Sequence, residues 1–252
     1  MRQSLRMLAR DWRSGELRIL AMALVIAVAS VSSVAFLGDR VSRAVARDAN
    51  QLLGADLVLL SDRPWNKEIS EKLAASGLDR ANATGFMSMA IAGERTMLAG
   101  VKAVSENYPL RGRLRIAQRP GAEDAVAERG PERGSVWLEE RLVSALSAPV
   151  GSRIRLGEAE FKVAAVLTLE PERSANFFNI APRIMMHVDD VAKTGLIRPG
   201  SRASYYLYAA GNPERLASFE GWAKARLERG QRIDNLESGR PEVRAAIDRA
   251  ER

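Results

Sequence analysis

The chain has 252 residues, 46% of them hydrophobic and 27% charged, which is long enough to bury a core and too apolar to be disordered. It has no cysteine and one histidine, His187, which excludes disulfides, thiolate-bound zinc, iron–sulfur clusters and any histidine-rich metal site. The net charge is +7, but residues 1–50 alone hold eight arginines against four acids, so most of the excess flanks one apolar stretch and no nucleic acid partner is expected.

Residues 1–18 place Leu5, Leu8, Ala9 and Trp12 at helical spacing opposite arginines. They read either as an amphipathic cytoplasmic segment lying on the inner leaflet, or as a plain basic flank. Ile19 to Gly38 is twenty residues without a charge, enough for roughly 30 Å of helix and a lipid bilayer crossing. A cleaved signal peptide is the alternative, because Ala27-Val28-Ala29 has small residues at cleavage spacing. Five arginines before the segment against three just after it favour a cytoplasmic N-terminus, with residues 54–252 outside the inner membrane.

Beyond Gly38 the helical period continues as a stalk over 39–53, with Val41, Ala44, Val45 and Leu52 on one face, and Gly54 marks its end. LVLL at 57–60 predicts a buried strand. Asp62-Arg63-Pro64 predicts a helix start, with Trp65, Ile69 and Leu73 inward and Gly77 at the end. Residues 86–93 and 96–101 predict a hairpin around Gly93-Glu94-Arg95. The polar, Gly- and Pro-rich stretch 117–134 predicts a surface loop or an internal boundary. A strand at 135–138, a helix at Glu139–Leu146 and a hairpin over 153–169 follow, the last with Ile154, Leu156, Phe161, Val163, Ala165, Leu167 and Leu169 on its buried face. Strands are expected at 183–188 and 205–209, and Asn212-Pro213 predicts a helix with Leu216, Phe219, Trp222 and Ala223 inward. From Pro241, the stripe Val243, Ala246, Ile247 and Ala250 predicts an exit helix over 241–252 that could pair with Val41, Val45 and Leu52, leading toward a second transmembrane segment. The fold class expected is therefore α+β: one transmembrane helix extended as a stalk, then a mixed α/β domain over 54–240.

No catalytic, cofactor or metal site is expected. There is no phosphate-binding Gly-rich loop ending in Lys-Ser/Thr and no Gly-x-Ser-x-Gly turn to supply a nucleophile for His187. Asp189-Asp190 are expected to cap a helix starting at Val191, and Glu68, Glu71, Glu139 and Glu140 to be solvated. Phe177-Phe178, between Asn176 and Asn179, reads as core packing or a partner contact. Tyr205, Tyr206 and Tyr208 alternate as strand residues do, with no basic stripe to make a base-stacking platform.

RDWRSGELRIL at 10–20, the apolar helix, LLGADLVLLSDRP at 52–64, GSVWLEERL at 134–142, VGSRIRLG at 150–157 and FKVAAVLTLEP at 161–171 together resemble the start of a large ABC-transporter permease of the FtsX-like family, with a MacB-like periplasmic core domain. The resemblance implies stalk helices leading into an α+β periplasmic domain, a separate cytoplasmic ABC-type ATPase as partner, contact with the lipid bilayer and with a further permease copy, and export of a hydrophobic or lipid-related cargo without catalysis by this chain. The family's later membrane helices lie outside these 252 residues, so the expectation is a segment of such a permease. The alternative is a stand-alone membrane-anchored periplasmic hydrolase or binding protein.

Overall fold

The structure, a computed structural model, describes residues 53–171, 181–198 and 200–235, together with Ile19, residues 22–33, Phe36 and Arg40. The chain divides into two units, residues 1–47 and 48–252. In the first, residues 22–33 are helical, and Met22, Leu24, Val25, Ile26, Val28 and Val31 are exposed. Among the described residues no helix is long and apolar enough to cross a membrane.

The second unit is built on one eleven-stranded sheet in the order β11-β1-β10-β2-β3-β9-β6-β8-β4-β5, with β7 joining β2 to β8. The strands are β1 (Leu57–Ser61), β2 (Asp79–Ala92), β3 (Arg95–Val104), β4 (Leu114–Ala117), β5 (Ala125–Ala127), β6 (Ser135–Glu139), β7 (Arg153–Leu156), β8 (Ala159–Leu169), β9 (Arg183–His187), β10 (Ala203–Ala210) and β11 (Gln231–Asn235). Because β7 pairs with both β2 and β8, the strands β2-β3-β9-β6-β8-β7 close into a ring. Closure removes edges that would otherwise invite pairing with another chain. The pairs β3–β9 and β6–β8 are parallel, and the other pairs of the ring are antiparallel.

The ring's interior holds the larger apolar cluster, with Phe86, Val101, Leu138, Phe161, Val163, Ile184 and Met186 in it. Helix α2 (Glu140–Leu146) follows β6 directly and turns Leu142, Val143 and Leu146 into the same cluster. On the open wing, α1 (Lys67–Ala75) and α3 (Pro213–Lys224) pack Ile69, Leu73, Phe219 and Ala223 against Leu57, Leu59, Ala209 and Ile233. A third cluster lies on the outer side of the sheet, where Tyr108 and Leu114 cover Val58, Ala81, Ala83, Val104, Trp137, Met185 and Tyr208.

Most local expectations match these elements, and the departures have physical causes. Helix α1 begins later than Pro64, because the Asn66 side chain accepts the Ile69 amide at 2.9 Å and so caps the helix there. Gly77 follows at φ 67°, where a glycine ends a helix at least strain. Leu169 is exposed although its parity faces inward: a register shift between Val136 and Trp137 on β6 breaks the alternation of β8, whose Ala165, Val166 and Leu167 are all buried. Asp189 and Asp190 do not cap a helix at Val191. They sit in a short 3₁₀ turn, Val188–Asp190, whose N-cap is His187. Asp190 is fully buried, accepting the Gly134 amide at 2.6 Å and the Lys193 ammonium at 2.7 Å. Burial by itself would raise this carboxyl, but Lys193 and the Gly134 amide hold it below the ordinary range.

Segment 117–134 contains β5, which pairs with β4, so the sheet continues through it. The Arg115–Asp124 ion pair at 2.5 Å pins that pairing. Its hydrogen bond, with a second from Thr168, lowers the Asp124 carboxyl to about 2.

Two substitutions test the ring. Phe161→Ala empties a ring position that is 2% exposed and is expected to cost about 3–5 kcal/mol, read as a lower urea midpoint by tryptophan fluorescence. Gly157→Ala places a methyl carbon 2.0 Å from the Thr194 carbonyl at φ 57°, so its midpoint is expected to fall as well, because backbone must move to admit it.

Candidate functional site

A charge cluster that no single motif announces lies under the outer face of the sheet. Lys102 projects from β3, Arg183 opens β9, and Glu170 directly follows β8. Their side chains are 3%, 12% and 1% exposed. The Lys102 ammonium donates to Glu170 Oε1 at 2.9 Å and to the Tyr108 hydroxyl at 2.7 Å, while Arg183 Nε donates to Glu170 Oε2 at 2.9 Å. The rings of Tyr208 and Tyr206 stand 5.6 and 5.9 Å from the same ammonium, within range of a cation–π attraction. They stack at 6.0 Å, and Tyr108 tilts against Tyr208 at 5.1 Å.

Burial would drive the Glu170 carboxyl upward, but the charges of Lys102 and Arg183 and their hydrogen bonds outweigh it and keep the acid ionised, below its ordinary value. Lys102 thus finds a carboxylate and a hydroxyl as partners inside the protein. The cluster ties β3, β9 and the end of β8 together. It also brings together Glu170 and Arg183, which are 13 residues apart in the chain. Glu139, expected to be solvated, is part of this fastening: its carboxylate accepts the Arg183 amide and the Arg141 guanidinium, each at 2.9 Å.

Beside the cluster the sheet carries an open cleft of about 530 Å³. Its floor includes Gly85 and Gly100, and Tyr206, Arg183, Met87 and Arg202 stand around it. The Tyr206 ring edge lies 3.4 Å from where a Gly85 methyl would be, and Arg183 Nη1 lies 3.5 Å from the same point at Gly100. The bare floor lets a ring and a guanidinium lie flat on the strands.

The residues singled out as partner contacts (Leu5, Leu8, Trp12, Phe177 and Phe178) and as a stalk pair (Val41, Val45 and Leu52 with Val243, Ile247 and Ala250) all lie outside the described residues. His187 ends β9, and its Nδ1 accepts the Asp189 amide at 3.2 Å. Among the described residues no group of acids and histidines could hold a metal ion. Lys102, Glu170 and Arg183 form no motif in the sequence, because they are 68 and 13 residues apart in pairs. The available signal was a lone lysine inside the apolar run TMLAGVKAV.

Residues 19–225 match the MacB-like periplasmic core domain. The chain belongs to that family. It is 33% identical over 242 residues to YbbP, an ABC transporter permease of Escherichia coli (strain K12), covering 96% of this chain and 29% of that protein. The chain thus spans under a third of the length of that relative. Among solved structures, the periplasmic region of MacB from Actinobacillus actinomycetemcomitans aligns at 13% identity and a TM-score of 0.47, over 79% of this chain and 95% of that one. The extracellular domain of the noncanonic ABC-type transporter YknZ from Gram-positive bacteria aligns at 10% identity and a TM-score of 0.46, over 71% of this chain and all of that one. The second unit is therefore a mixed α/β domain of the MacB-like periplasmic core family.

Removing one member of the buried cluster leaves its partners charged and desolvated. Glu170→Gln is expected to cost about 3–5 kcal/mol at neutral pH. A double cycle with Lys102→Met should be far from additive, because the two changes remove one shared interaction. The Glu170 carboxyl is lowered in the folded state, so its contribution is complete above the ordinary carboxylate pKa of about 4.3 and is lost as pH falls through the lowered value. Urea midpoints measured on descending pH should therefore fall less steeply in Glu170→Gln than in the parent.

Proposed function

We propose that the chain is a non-catalytic segment of an ABC transporter permease of the inner membrane, which couples a separate cytoplasmic ATPase to periplasmic movement and export of a hydrophobic or lipid-related cargo. Its N-terminus is cytoplasmic, 19–38 is the span, 39–53 the stalk and 54–240 the periplasmic core, with 241–252 starting an exit helix. Family membership supplies the transporter class. The observation that carries the coupling is where the chain joins the core domain: Leu57 on β1 stands opposite Asn235 on β11, so incoming and outgoing segments attach side by side.

That attachment is stiff. The Gly54 carbonyl accepts the Leu110 and Arg111 amides, both at 2.9 Å. Asp56 holds the Arg111 guanidinium through two bonds of 3.0 and 2.7 Å and accepts the Gly211 amide at 3.0 Å. A displacement arriving at Leu53 would thus pass into β1, β10 and the 105–113 loop together, with little lost to bending. Gly54, at φ 73° after helical Leu53, lies where the sequence ends the stalk. The exposed, uncharged and largely apolar surface of residues 22–33 supports a lipid surrounding for that segment.

An alkaline phosphatase fusion after Arg252 is expected to be active and a cytoplasmic reporter there inactive. The reverse pair would overturn the topology. In the full-length permease, Ala44→Pro removes one helical hydrogen bond and bends the stalk at a local cost of about 3 kcal/mol or more. ATPase activity should then persist while export fails. Normal export with a bent stalk would reduce the helix to a spacer.

A further inference from the structure

The outer wall of the β2–β3 hairpin carries an apolar strip that no other described element covers. Met87, Met89 and Leu98 are 52%, 45% and 50% exposed. They share one face, because Met89 stands opposite Leu98 and Met87 opposite Gly100 in the register. Ile91, next along the same face of β2, is half-buried and stands opposite Arg155 on β7. Arg202 lines the cleft beside Met87 at the other end. Arg155 and Arg202 form no ion pair among the described residues. Two guanidinium groups without an ion pair thus bracket the methionine strip on the outside of the ring, with Glu160 on β8 opposite Arg155.

We propose that this strip is a docking surface for a protein partner that presents an amphipathic helix with acidic flanks. Helix on sheet is the ordinary way to cover one apolar sheet face. Methionine side chains adapt to a partner's ridge without fixed shape, and Arg155 and Arg202 complement acids on either side of it. A second copy of this chain fits poorly, since two-fold contact through the strip sets like-charged guanidinium groups against one another. A bilayer fits poorly as well. The strip lies about 30 Å along β2 from Arg80, and Arg80 stands beside Ala209 and Leu57 where the chain joins the core domain. The anchor proposed above joins the chain at that end of β2, away from the strip. Only this exclusion rests on the topology proposed above; the surface and its charge do not.

The test uses the full chain in nanodiscs of zwitterionic lipid. The probe is a fluorescein-labelled synthetic helix of about 18 residues, with Leu at i, i+3, i+4 and i+7 spacing and Glu elsewhere. Anisotropy should rise to saturation, and the binding should weaken with added salt. It should weaken at least tenfold in Arg155→Glu/Arg202→Glu and in Met89→Gln/Leu98→Gln. These exposed positions should leave the urea midpoint near that of the parent. Three results would overturn the proposal: no saturable binding, equal binding of a peptide with Lys in place of Glu, or binding unchanged in both variants. It also fails if Met89→Gln/Leu98→Gln abolishes self-association in sedimentation or flotation with phosphatidylglycerol vesicles while peptide binding is absent, since the occupant is then a second copy or a lipid surface.

Discussion

A lysine ammonium with 3% of its side chain exposed must find partners inside the protein, and much of the outer face of the sheet is arranged around that need. Glu170 neutralises Lys102, Arg183 supports Glu170, and Tyr108 brings a hydroxyl on a loop that crosses the sheet. That loop is the lid of the outer apolar cluster, so satisfying one charge also buries Ala81, Ala83, Val104 and Trp137. A buried ion cluster adds little stability compared with an apolar core of the same volume, but breaking it is costly. Its charged hydrogen bonds fasten β3, β9 and the residue after β8 to one another.

The ring of strands explains how one sheet serves two sides. β2 has buried residues at 81 and 83 and then at 84, 86, 88 and 90. Its first half is covered on the outer face by the Tyr108 loop, and its second half is covered on the inner face by the ring's own core. The strand does not turn over; the cover changes sides. Where the outer lid ends, the same strand leaves Met87 and Met89 open, and the methionine strip is the direct consequence.

This geometry separates the two ends of the core domain by role. The end at Gly54, Asp56 and Arg111 is dense in backbone and charged hydrogen bonds and receives both neighbouring chain segments. The far end offers an apolar strip and, among the described residues, two arginines that form no ion pair, Arg155 and Arg202. β2, fourteen residues long, runs from one to the other as part of the closed ring.

The sequence by itself determined the local elements and the family. Leu57–Leu60, the 86–101 hairpin, the alternation at 153–163 and the Asn212-Pro213 helix start are set by contacts within a few residues, where periodicity and capping chemistry decide. The order of the quoted motifs carried the family resemblance, since a family is a property of sequence. Only the tertiary structure decided the closing of the ring by β7, the strand β11 and the burial of Lys102, Glu170, Arg183 and Asp190. Each of these depends on partners distant in the chain. Lys102 and Glu170 look like two ordinary surface charges until β3 and β8 are placed, and Leu169 looks buried until a register shift turns its neighbours inward. Hydrophobic patterning records which residues want to leave water, but it does not say which face of a strand will receive a cover.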